Sequence, residues 1–287
     1  MEEKEINGCL GLWEKKTDYI LTEGLLDALP TLYQQDEIIY QYNQWKQKWS
    51  EKSCTLFSPI WAISDLMNIE IPLSTIKQWD EWSYSHWRMK NSWWYVSLWV
   101  EYICDCYNAS ELAKWKWKVA FYSIDLKDDE LVKKVLDKRY TICTGFQWNA
   151  NYSNDRNKDW KLDWTEFGSP TYWHAVGAIW SINECPARIK DNYYWTSKYN
   201  IYDVAHNFSE LPCFYDRGYV ITKVAEDCLE EVKRLNAFRT NLINSIELNS
   251  LMRHQTKDTN YQSILHYMNE KNRKKLQDCE DELKKLI

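Results

Sequence analysis

From Ile221 to Ile287 the chain contains no Gly, no Pro and no Trp. The strongest helix breakers are therefore absent from a long stretch. Its apolar residues recur at helical spacing, first as Val224, Cys228, Val232, Leu235, Phe238, Leu242 and Ile246. A second series runs Tyr261, Ile264, Leu265, Met268, Leu276, Leu283 and Leu286, and charges fill the remaining positions of both. This pattern predicts two amphipathic helices joined near residues 253–259, packed as a hairpin on the body or onto a partner. The alternating Lys and Glu of residues 271–285 fit a solvated helix face. A boundary is accordingly expected after residue 220, with a body at 1–220 and a helical hairpin at 221–287.

The body has a different character. All 18 Trp of the chain precede residue 222, and the whole sequence has 20 Tyr but only 7 Gly. Periodicity predicts mostly helix over 13–50 with a break at Pro30, then helices over 54–69, 92–107 and 128–138. Asp128 and Asp129 open the last of these, where carboxylates suit the positive end of the helix dipole. Strands are expected over 139–147, 172–182, 188–194 and 199–204, with a long polar loop over 148–170. Helices come first and strands later, which predicts an α+β fold with a segregated sheet.

Charge and cysteine usage narrow the function classes. With 36 Lys and Arg against 42 Asp and Glu, the net charge is −6, so no cation excess exists to displace counterions from nucleic acid. No segment has the ~18 uninterrupted apolar residues of a membrane helix, and the charged N-terminus does not read as a secretory signal. Nine Cys without a tight spacing framework predict free thiols in a reducing compartment. Cys104 and Cys106 have the wrong spacing for a zinc site and no second pair to complete it. The expectation is a cytoplasmic protein without metal or cofactor. Abundant Trp, Tyr, Asn, Lys and Ile point to an AT-rich coding sequence, as in a phage or a reduced bacterium.

One constellation carries chemistry. A thiol nucleophile needs a lowered pKa and an adjacent imidazole, and a helix N-terminus supplies the first through its unpaired N–H groups. Cys54 stands at such a position, after the polar run 50–53 and before the apolar positions Ile60, Ile63, Leu66 and Met67. His174 stands in an apolar strand, followed by Ala175, Val176, Gly177, Ala178 and Ile179. Asp191 and Asn192, at the end of the next strand, are candidates to orient the imidazole.

These residues resemble the papain-like cysteine peptidases. Cys54-Thr-Leu-Phe-Ser-Pro59 is similar to that family's Cys-Trp-Ala-Phe-Ser-Ala at the start of its central helix. His174-Ala-Val-Gly-Ala resembles its histidine strand, and Ile189-Lys-Asp-Asn-Tyr-Tyr194 resembles its Ile-Lys-Asn-Ser-Trp-Gly. The order Cys, His, Asn or Asp agrees over residues 40–205. The 120-residue separation of Cys54 from His174 falls slightly below the family's roughly 130–150. The family's Cys-Gly-Ser-Cys is here Glu51-Lys-Ser-Cys54, without the Gly, and Pro59 enters the helix early. The resemblance implies a papain-like fold extended by the C-terminal hairpin, and cleavage of peptide bonds by acyl transfer. Cys54 would attack the carbonyl, His174 would protonate the leaving amine and then activate water, and Asp191 or Asn192 would hold the imidazole. Gln47, one residue off the family spacing, would join the Cys54 N–H in an oxyanion hole.

The implied partner is a peptide or protein substrate, with a further protein contact or self-association through the C-terminal helices. The alternative is a papain-like fold without catalysis that serves as a structural or interaction protein, as in a virion. A cell-wall amidase, which also uses Cys then His, is a third reading. The Ile-Lys-Asp-Asn segment favours the papain-like one over it.

Overall fold

The computed structural model describes residues 19–32, 54–85, 96–114, 117–148, 161–162, 172–180, 185–190, 201–211 and 217–287. Four helices come first: α1 (Glu23–Ala28), α2 (Cys54–Met67), α3 (Leu73–Ser85) and α4 (Val96–Ala109). Strand β1 (Lys118–Asp125), helix α5 (Asp129–Asp137) and β2 (Ile142–Trp148) follow. Then come β3 (Lys161–Leu162), β4 (Tyr172–Ile179), β5 (Ala187–Lys190), β6 (Ile201–Val204) and β7 (Arg217–Val224). The long helices α6 (Leu229–Gln255) and α7 (Thr259–Leu286) end the chain. The α+β class expected from the sequence is observed.

The strands form one sheet in the order β1-β7-β2-β4-β5-β6-β3. Every neighbouring pair is antiparallel except β3 with β6, which is parallel. β7 pairs with β1 along its whole length and with β2 at Ile142 and Cys143. The last strand in sequence is thus inserted between the first two. Gly218 is needed at this crossing, because a Cβ there would lie 2.5 Å from Ile142 Cγ2 and 3.0 Å from Leu126 Cδ2.

Local chemistry explains the elements around the sheet. Asp128 caps α5 by accepting from the Leu131 N–H at 3.0 Å, which satisfies one orphan donor of the first turn. Leu131, Val132, Val135 and Leu136 form the buried side of α5. The chain then reverses into β2 through Arg139, whose φ of 69° is left-handed. α2 is different in kind: Phe57, Ile60, Trp61, Ile63 and nearly every other residue of it are buried. It packs against α4 on one side and against β4, β2 and β7 on the other. A helix apolar all round belongs inside a fold, and the sheet, α2 and α4 share one core.

The hairpin departs from the expected boundary. Ile221–Val224 complete β7 rather than begin a helix, and α6 starts at Leu229. The apolar spacing that continued back to Val224 cannot distinguish a buried strand from a helix over so few residues. The root of the hairpin belongs to the common core through Leu235, Cys279 and Leu283. Arg239, fully buried, pairs with Glu280 at 2.8 Å and donates to the Ile20 carbonyl. Glu280 also accepts from the Thr22 hydroxyl at 3.2 Å, and Asn236 Nδ2 donates to the Tyr122 hydroxyl at 3.2 Å. The hairpin therefore docks in cis, on β1 and the segment entering α1. Its far half exposes Leu248, Leu251, Tyr261, Ile264, Tyr267 and Met268.

Candidate active site

Cys54 is the first residue of α2 and keeps 7% of its surface exposed. Pro59 sits inside α2, yet the helix runs unbroken to Met67. Proline there removes the i→i−4 donor to residue 55, a cost that the buried packing of α2 offsets.

Three contacts fix how α2 lies along the sheet. The Ser58 hydroxyl donates to the Val176 carbonyl at 2.7 Å. One turn on, the Trp61 ring approaches Gly177, where a Cβ would stand 4.0 Å from Cε3. A further turn on, Asp65 meets Lys190, which is paired with Gly177 across β4 and β5. α2 and β4 thus run in the same direction. Cys54 precedes Ser58 by one turn, about 6 Å of rise. His174 precedes Val176 by two residues, about 6.6 Å along the strand. Both residues therefore lie toward the N-terminal ends of α2 and β4.

The two side chains belong to different faces of the sheet. Cys143, Gly177 and Lys190 share the sheet face toward α2, since Ser58 is within hydrogen-bonding reach of the Cys143 thiol. Alternation puts His174 on the other face with its cross-strand partner Phe146, the two ring centroids 6.3 Å apart. β5 pairs with β4 only from Gly177 to Ile179, and Ser58 engages β4 ahead of that point. The imidazole is buried, with 1% of its surface exposed.

At the far end of α2 lies a buried ion pair. Lys190 Nζ stands 3.2 Å from both Asp65 carboxylate oxygens, and Asp65 also accepts from the Thr141 hydroxyl at 3.3 Å. The Lys190 ammonium sits 4.8 Å from the centre of the Trp61 ring, a cation–π contact. Burial is the largest influence on each group. It raises the Asp65 pKa and lowers that of Lys190, against the opposing pull of the pair itself. Desolvation favours the uncharged form of each, so the pair gives geometric definition more than net stability.

Of the residues that the sequence singled out, Cys54 and His174 lie in described elements, whereas Gln47, Asp191 and Asn192 lie outside the described residues. Ser58, Asp65 and Lys190 were not singled out. A polar residue inside the nearly all-apolar run of α2 was the available signal for the first two, and a lysine in an apolar strand for the third. Cys104 and Cys106 pack on α4, where burial pushes Cys104 well up and Cys106 to about 11. Among the described residues no group of three or more His, Cys, Asp or Glu converges to hold a metal ion, and no helix is long and apolar enough to cross a membrane. Compared with protein-family models, curated proteins and solved structures, the chain gave no match.

Proposed function

We propose that this protein is a cysteine peptidase with a papain-like arrangement, Cys54 acting as nucleophile and His174 as general acid and base. The observation that carries the reading is the register of α2 on β4. The Ser58–Val176 bond ties the helix that bears Cys54 to the strand that bears His174, four residues from the first and two from the second. The Cys54 thiolate would attack an amide carbonyl, forming the C–S bond while the oxyanion takes hydrogen bonds from the Cys54 N–H. The tetrahedral adduct would expel the amine with a proton from His174. Water, deprotonated by His174, would then attack the thioester and release the acid and the thiol. Asp191 or Asn192, next in the chain after Lys190, would orient the imidazole, and Gln47 would complete the oxyanion hole.

The test is alkylation of the native protein with iodoacetamide across pH, read at each cysteine by mass spectrometry, with His174→Ala as control. An activated Cys54 labels with an apparent pKa well below the ordinary ~8.5, and the control loses this. Cys143 and Cys106 provide internal contrast, because burial pushes them up to about 12 and about 11. If Cys54 labels no more readily than these, it is a packed thiol and the peptidase reading fails. A second reading, an interaction protein on the same fold, is favoured by the exposed apolar side chains of the hairpin's far half.

A further inference from the structure

We propose that Asp65 and Lys190 form a positioning pair that sets the register of α2 along β4 and β5, and with it where Cys54 stands relative to His174. This inference deepens the peptidase reading and rests on it.

Helices pack on sheets through apolar side chains, which tolerate sliding better than a directional contact does. The α2 interface is mostly of this tolerant kind, with Phe57, Ile60, Trp61 and Ile63 all buried. Two of its directional contacts span most of the helix. Ser58 meets the Val176 carbonyl near the helix start. Asp65 meets Lys190 and Thr141 nearly two turns later, linking α2 to the end of β5 and the entry to β2. A lone hydroxyl–carbonyl bond is worth about 1 kcal/mol and would define the register weakly. The second contact is deeply buried, since Lys190 is 2% exposed, and its ammonium is boxed in by the Trp61 ring. A slip of one residue along α2 would turn Asp65 by about 100° away from Lys190, leaving a buried charge without its counterion. Such a state is strongly disfavoured, so the pair admits a single register. It acts on the reaction only through that alignment. Asp191 and Asn192 follow Lys190 directly in sequence, so the same anchor fixes where the segment that bears them begins.

The experiment compares the intact protein with Asp65→Asn/Lys190→Met and with Lys190→Arg. The double variant removes both charges together and so avoids stranding either one in the core. Two quantities are read in each: the pH profile of Cys54 alkylation, and amide hydrogen exchange over residues 54–67, 172–179 and 217–224. The double variant is expected to raise the apparent Cys54 pKa by about one unit, a tenfold fall in thiolate at neutral pH. Exchange protection should drop in 54–67 and 172–179 while 217–224, the β7 strand held between β1 and β2, stays protected. Lys190→Arg, which keeps the charge and its donors, should restore the profile. A double variant with the original Cys54 profile and the original exchange pattern overturns the proposal. If the unmodified protein already shows an ordinary thiol at Cys54, the peptidase reading falls. Exchange then judges the pair alone: loss of protection in 54–67 and 172–179 upholds its register role, and unchanged protection refutes it.

Discussion

Replacing Arg239 by Met tests how the helical hairpin is held. Arg239 is fully buried and has two obligations, the Glu280 carboxylate at 2.8 Å and the Ile20 carbonyl. Methionine fills much of the side-chain stem but supplies no donor. Removing one partner of a buried pair costs about 3–5 kcal/mol, because the other charge is left uncompensated. Glu280 retains the Thr22 hydroxyl and 13% exposure, which places the expected loss near the lower end, about 3 kcal/mol. The chain offers a convenient pair of probes. No Trp lies beyond Trp195, so tryptophan fluorescence reports the body, while far-ultraviolet circular dichroism also reports α6 and α7. In urea, the two transitions should coincide for the unmodified protein. In Arg239→Met the circular dichroism transition should move to lower urea and separate from the fluorescence one. Adding Glu280→Leu should recover part of the loss, since no buried charge is then left unpaired. Coincident transitions with less than about 0.5 kcal/mol of change would refute the view that this cluster anchors the hairpin.

Two further substitutions probe other links. Gly218→Ala should destabilise by about 1–3 kcal/mol through overpacking against Ile142 and Leu126; chemical denaturation checks this, and Gly218→Ala/Ile142→Val should recover part of the loss. Asp258 caps α7 by accepting from the Asn260 and Tyr261 N–H groups at 2.9 and 3.1 Å. Asp258→Ala should cost about 1 kcal/mol, read as faster amide exchange confined to the first turn of α7.

The two hairpin helices were legible in sequence because nothing between Ile221 and Ile287 interrupts a helix and the apolar period is sustained. The short helix at Asp129–Asp137 was equally legible, since its cap, its acidic first turn and its apolar face all agree. α2 and β4 were also expected where they occur. α3 and β1 were not expected. α3 mixes buried Trp79 with exposed Trp82 and Tyr84, so its apolar period is blurred, and β1 follows α4 without a turn residue of strong signal. The residues 161–162, expected within a loop, join the sheet through a parallel pairing that no local pattern encodes.

The sequence alone determined which segments can be helices, that the chain is α+β, and that a cysteine stands at a helix start with a histidine in a later strand. Those are properties of period, capping and composition, which act over a few residues. Tertiary structure decided that β7 enters between β1 and β2, that the hairpin docks in cis through Arg239, and that α2 lies parallel to β4 with Ser58 on Val176. It also decided that Asp65 finds Lys190, 125 residues away. Such pairings depend on which surfaces remain to be covered once the local elements exist, and on which buried charges must find each other. Neither condition is written in the spacing of residues along the chain.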